Sequence, residues 1–237
     1  MTRVSKSFGG VRAVHDVSVT LGEGEVLGIM GPNGSGKSTL LNLVAGALRP
    51  ETGRIRLDGH DITSLSAHQV CGKGIARTFQ LVRPFMGLSV RENVLVGHFY
   101  GRRQRERGAG GGETDRLLRL VGLADKGHLH PAQLTIMDRK RAELARALAA
   151  SPRLLLLDEF MAGLTPTETE GAMALVKRLQ EEGLTLIMVE HIVWALLDLS
   201  QRVIVLSAGE KIADSTPAAV VADPTVVDVY LGGAPVA

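Results

Sequence analysis

The sequence contains one cysteine, Cys71. No internal disulfide can form, and nothing points to an oxidising compartment. Alone, Cys71 reads as a small, half-buried hydrophobe. Aromatic residues are scarce, at 3%, while hydrophobic residues make up 45%. The core must therefore be built from Leu, Val, Ala and Ile, which suits the aliphatic strands of a buried parallel sheet. An excess of charge is also missing. A net charge of +2 is a mild basic bias and not the footprint of a nucleic-acid binder. No apolar run reaches the ~20 residues of a membrane-spanning helix. The most apolar stretch, Leu184 to Leu199, is broken by Glu190, His191 and Asp198. The opening residues Met1 to Lys6 lack the apolar segment of a secretory signal. Any membrane role is expected to come through a partner. What is present is a chain of 237 residues, enough for one large domain, or a domain with a subdomain, and a substantial core.

No internal repeat is visible. Alternating apolar residues from Ala13 to Leu21 predict a strand that ends in the turn Gly22-Glu23-Gly24-Glu25. Val26 to Met30 predicts a short buried strand, followed by a glycine-rich loop. Leu40, Leu41, Val44 and Leu48 then predict a helix from Lys37 to Leu48. A strand-like piece around Ile55 and Leu57 is bounded by Pro50, Gly53 and Asp58-Gly59. From Arg83 to Ala150 the pattern is mainly helical, interrupted by a segment from Gly101 to Gly112 rich in arginine and glycine, which reads as a solvated loop. No aromatic residue interleaves its arginines, so a nucleic-acid patch is the weaker reading. After Pro152 strands and helices alternate: Leu154 to Leu157, Glu168 to Glu182, Leu184 to Val189. This is βαβ architecture, an α/β fold with a mostly parallel sheet, into which the helical stretch at about 83–150 is inserted.

Three motifs carry chemistry. Gly31-Pro32-Asn33-Gly34-Ser35-Gly36-Lys37-Ser38, followed by Thr39, satisfies the phosphate-binding loop pattern between a strand and a helix. Glycines let successive backbone N–H groups close around phosphate, and the helix that follows adds the positive end of its dipole. Lys37 is expected at the β and γ phosphates and the Ser38 hydroxyl on Mg²⁺. The run Leu154-Leu155-Leu156-Leu157-Asp158-Glu159 delivers two carboxylates to the carboxyl edge of a buried strand, where ligands of open α/β sheets bind. Two acids after a strand are ordinarily a solvated strand end. With the phosphate loop upstream, Asp158 is expected to hold Mg²⁺ and Glu159 to act as general base on the attacking water. His191, just beyond another apolar strand, is expected at the γ-phosphate. His128 and His130 share a loop without a third metal ligand nearby.

These pieces, in this order, resemble an ABC (ATP-binding cassette) ATPase over nearly the whole chain. The resemblance implies a P-loop NTPase fold with a RecA-like core, an N-terminal antiparallel β-subdomain and the inserted α-helical subdomain, forming a single domain over 1–237. It implies ATP and Mg²⁺ as cofactors. Phe8 resembles the aromatic that stacks on adenine. Gln80 resembles the Q-loop glutamine, which touches Mg²⁺ or water and links the site to a membrane partner. His191 resembles the switch histidine. Ile75 to Gln80, Leu88 to Gly97, Met161 to Glu168 and Val226 to Gly232 narrow the resemblance to LivG-type ATP-binding subunits of branched-chain amino acid importers, relatives of which also carry amides, urea or aromatic acids. The chain would then sit on the cytoplasmic face of the inner or plasma membrane, held by transmembrane permease subunits, paired with a second ABC ATPase and indirectly served by an extracytoplasmic solute-binding protein. No nucleic acid is expected. A non-hydrolysing regulatory subunit and a non-transport ABC ATPase are the rival readings. The intact Glu159 and His191 oppose the first. The absence of long heptad segments and of a second cassette opposes the second.

Three departures from the family pattern stand out. The usual signature Leu-Ser-Gly-Gly-Gln is replaced by Leu134-Thr135-Ile136-Met137-Asp138. Thr135 keeps the hydroxyl that would meet nucleotide on the opposite subunit, whereas Asp138 would bring negative charge towards phosphate. Thr165 replaces the usual D-loop aspartate. Only seven residues precede Phe8, so the first strand is expected to be short or missing and the true start to lie upstream. The altered signature points to an asymmetric pair with a different partner ATPase, although a homodimer stays open.

Overall fold

A computed structural model describes residues 1–80, 82–102 and 110–231. Packing divides the chain into two compact units, Met1–Ala67 with Leu186–Ala237, and His68–Thr185.

The first unit begins with β1 (Thr2–Phe8) and β2 (Val11–Val17), an antiparallel pair, then β3 (Val26–Met30) and α1 (Lys37–Val44), and then the short strands β4 (Thr52–Arg54), β5 (Arg56–Leu57) and β6 (His60–Asp61). The expectation of a short or missing first strand is corrected here. β1 runs over seven residues and carries Phe8 as its last. It pairs with β2 on one side and β4 on the other. The N-terminal amine donates to Val19 O at 2.7 Å, which ties down the chain start. Helix α1 stops at Val44, short of the predicted Leu48, because Gly46 turns left-handed with φ 70°.

The second unit holds α2 (Ala67–Lys73), β7 (Ile75–Arg77), α3 (Val90–Tyr100), α4 (Gly110–Leu120), α5 (Ile136–Ala149), β8 (Leu154–Asp158) and α6 (Pro166–Glu181). β7 and β8 are parallel, with Ile75 opposite Leu154 and Arg77 opposite Leu156. Every residue of β8 is buried, as a continuous aliphatic run requires. Helix α3 starts on a capping box in which Ser89 and Glu92 satisfy each other's backbone N–H groups. The solvated loop predicted from Gly101 to Gly112 is corrected at its end. Residues 103–109 lie outside the described residues, and Gly110 to Gly112 form the first turn of α4. That helix is anchored by Leu117 and Leu118, which are 1% and 2% exposed. Glycine is least costly in a first turn, where the amides have no helical partner to lose.

The chain returns to the first unit through β9 (Thr185–Val189), then α7 (Val193–Leu199), β10 (Arg202–Ser207), β11 (Glu210–Ser215), α8 (Pro217–Ala222) and α9 (Pro224–Leu231). β3 is parallel to both β9 and β10, and β10 turns back antiparallel into β11, giving the order β11–β10–β3–β9. β3 is therefore an inner strand, and the glycine-rich loop leaves from its carboxyl end, the edge at which parallel sheets bind ligands. The two C-terminal helices close the first unit by packing Val220 and Val226 against Met30, Leu196, Val203 and Val205. Among the described residues, no helix is long and apolar enough to cross a membrane.

Candidate functional site

In the first unit the loop from Gly31 to Gly36 leads into α1, whose N-cap is Gly36 at φ 104°. Asn33, Gly34 and Ser38 are exposed and Thr39 is half-buried, whereas Ser35, Gly36 and Lys37 are buried. Lys37 curls back over the loop, its ammonium donating to Gly31 O at 2.7 Å and Pro32 O at 2.8 Å. The loop is backed by chain that allows no side chain. A Cβ on Gly31 would stand 2.2 Å from Leu206 O, and one on Gly36 would stand 2.2 Å from Ala13 O. Gly209 N–H donates to Ser35 O at 3.1 Å. Phe8 exposes 47% of its surface, with the Lys6 ammonium 5.6 Å from the ring centroid. His191 is exposed and lies just beyond β9.

In the second unit β8 carries Asp158 as its last residue, and Glu159 turns the chain away from the strand at φ 51°. A non-glycine residue held left-handed costs about 1–3 kcal/mol and persists only where its surroundings fix it. Lys140, buried on α5, does so by donating to Glu159 O at 3.1 Å and Phe160 O at 2.9 Å. The Glu159 side chain is held as well, with Gln80 Nε2 donating to its Oε2 at 2.6 Å. The structure thus brings Gln80 and Glu159 together. Asp158 faces Arg77 across the two parallel strands, the guanidinium donating at 2.7 Å, with both side chains exposed by less than a tenth. Arg77 also lies 5.3 Å from the Phe79 ring centroid. Phe79 N–H reaches Glu143 at 3.4 Å. Burial pushes the Glu143 carboxyl up despite its Arg146 partner. Sequence reasoning missed Arg77 and Lys140. Both stand inside segments read for their neighbours, and only contacts distant in sequence reveal them.

The altered signature takes on a different character in three dimensions. Thr135 is the N-cap of α5 and its hydroxyl accepts from Asp138 N–H at 3.1 Å. Met137 is buried at 4% exposure, whereas Ile136 is exposed. Asp138 does not present a bare charge, contrary to expectation. Its carboxylate accepts from Lys126 at 2.8 Å. Burial would raise its pKa, but the Lys126 and Thr135 hydrogen bonds outweigh burial and hold the carboxyl below the usual range. Thr165, in the position expected of the D-loop aspartate, caps α6 in a reciprocal box with Glu168.

Comparison with known proteins places the whole chain in one family. Residues 14–162 match the family described as ABC transporter, and residues 210–235 match one described as branched-chain amino acid ATP-binding cassette transporter. The chain is 34% identical to the high-affinity branched-chain amino acid transport ATP-binding protein BraF of Pseudomonas aeruginosa, over 96% of this chain and 94% of that one. It is equally similar, with the same coverage, to LivG of Escherichia coli K12, which has the corresponding description. The lipopolysaccharide export system ATP-binding protein LptB of Haemophilus influenzae is 33% identical, over 97% and 95%. Among solved structures, a nucleotide-free ATP-binding cassette from an ABC transporter superposes with a TM-score of 0.87 at 29% identity, covering 98% of this chain and 97% of the other. A dimeric cassette bound to ADP and Pi in a post-hydrolysis state superposes with 0.81 at 28% identity, covering 91% and 97%. The chain belongs to the ATP-binding subunits of the ABC transporter family, with their α/β P-loop NTPase fold and their ATPase activity.

Proposed function

We propose that this ATPase drives a membrane importer for branched-chain amino acids or closely related small solutes. The observation that carries the solute class is the match of residues 210–235 to the branched-chain family. Overall identity alone does not select it, since the lipopolysaccharide-export relative is nearly as similar. The chain works on the cytoplasmic face of the inner or plasma membrane, held there by transmembrane permease subunits, while an extracytoplasmic binding protein presents the solute. The helical stretch at about 83–150 acts as the inserted subdomain of a single cassette.

The loop amides from Asn33 to Thr39 and the Lys37 ammonium bind the β and γ phosphates, with Lys37 exchanging the Gly31 and Pro32 carbonyls for phosphate oxygens. Phe8 stacks on the adenine. Ser38, Asp158 and Gln80 offer hydroxyl, carboxylate and amide oxygens, the donor class Mg²⁺ takes, and Asp158 already lies against a cation. When bound, Mg²⁺ neutralises charge developing on the phosphates. Glu159 takes a proton from the attacking water, its carboxylate aimed by Gln80 and its backbone by Lys140. His191 contacts the γ-phosphate. Thr135 meets nucleotide held by a second ATPase subunit. With the Asp138 charge paired to Lys126, the preference for a partner of different sequence over a second copy of this chain rests on Met137, a bulky residue where the signature has glycine.

Labelled leucine uptake in cells lacking this chain tests the reading. Wild-type chain restores uptake. Glu159→Gln fails to restore it and lowers ATP turnover by about 10²–10⁴-fold while nucleotide still binds. Normal leucine uptake without the chain overturns the solute class, and restoration by Glu159→Gln overturns the role of Glu159.

A further inference from the structure

The C-terminal segment from Val226 to Gly232 marks the family branch, yet none of the hydrolytic roles above uses it. Its helix α9 seats Val226 in the cluster that contains Met30, the last residue of β3 and the neighbour of Gly31. One turn later Tyr230 reaches the loop itself. Its hydroxyl accepts from Gly31 N–H at 2.7 Å, although the two residues are 199 positions apart.

Gly31 is held on both sides. Its N–H is bound by Tyr230, and its carbonyl by the Lys37 ammonium. It stands at φ 148° with Leu206 O against the place a Cβ would occupy. Residues from the same end of the chain grip the loop a second time, through Gly209 N–H on Ser35 O. The hairpin of β10 and β11 with α9 therefore fixes the entry and the middle of the loop. A loop that binds phosphate through backbone amides gains affinity from being held in place before ligand arrives, because less ordering remains to be done on binding.

We propose that Tyr230 is a positioning residue for nucleotide binding, a brace from the last helix to the first glycine of the phosphate loop. The inference rests on the reading of Gly31 to Ser38 as that loop. The C-terminal segment thereby sets nucleotide affinity.

The test is Tyr230→Phe in the full chain, which keeps the ring and removes the acceptor. The ADP Kd by calorimetry and the ATP KM are expected to rise about three- to tenfold, the worth of one hydrogen bond, with kcat preserved and the thermal midpoint little changed. A purely structural tyrosine would shift the midpoint and leave Kd alone, and that result overturns the proposal. Loss of kcat at unchanged Kd overturns it too. Lys37→Ala serves as a separate arm: if ADP binding survives it, the reading of the loop fails whatever Tyr230 does. Should Tyr230→Phe not fold, amide hydrogen exchange is read in the wild-type chain instead: the Gly31 N–H, held by Tyr230, must be protected before ADP is added. Exchange as fast as that of an exposed amide overturns the brace.

Discussion

Between Gly31 and Gly36 the contacts that shape the site come largely from backbone, whereas around Asp158 and Glu159 they come from side chains. The loop is bounded by the carbonyls of Ala13 and Leu206 and by the amide of Gly209. The acidic strand end is held by Arg77, Gln80 and Lys140. Backbone supplies fixed dipoles and close approach without net charge, which suits a cradle for an incoming polyanion. Carboxylates in a buried setting need cations or donors of their own until the reaction engages them. The two regions therefore fail differently, the first through sterics and the second through charge.

The largest separation is expected within the loop. Gly36→Ala drives a Cβ into Ala13 O at 2.2 Å, a backbone atom that cannot swing aside, whereas Gly34→Ala meets nothing within 4 Å and suffers only the strain of φ 79°. Calorimetry should show ADP affinity falling more than about a hundredfold for Gly36→Ala and about tenfold for Gly34→Ala, the latter from roughly 1–2 kcal/mol of left-handed strain. Equal losses would break the steric account. Next comes charge at the strand end. Arg77→Met strands the Asp158 carboxylate in the interior and should cost about 3–5 kcal/mol in urea unfolding, most of it recovered by Arg77→Met with Asp158→Leu. A single variant as stable as wild type would mean that Arg77 does not hold Asp158. The smallest effect belongs to Lys126 and is best read against pH. The folded-state pKa of Asp138 is depressed, so its contribution is present above the unfolded value of about 4 and lost as pH falls through the lower folded value. Lys126→Ala should therefore be less stable than wild type at neutral pH, and the gap should narrow below pH ~4. A gap independent of pH would assign Lys126 to packing alone.

The same contrast explains what the sequence made legible. A strand, a glycine-rich loop and a helix are contiguous, so the segment from Val26 to Val44 could be read directly. The acids ending β8 stood out because four leucines precede them. Their supporting cations did not, since Arg77 is 81 positions from Asp158 and Lys140 is 19 from Glu159. Tyr230 was visible only as part of a family motif, without the partner that gives it a purpose. Asp138 shows the opposite error. Its charge was legible and its counter-ion was not, so the sequence suggested a repulsion that Lys126 removes. The glycines at the start of α4 misled in another way, because composition describes a loop well only where no apolar face downstream recruits it into a helix.

The left-handed backbone at Glu159 sets what directed evolution of this protein would find. Glycine occupies φ near 51° without strain, so a library sorted for thermal tolerance alone would favour Glu159→Gly. The winners would be better folded and inert, and any screen for a sturdier variant has to score turnover from its first round.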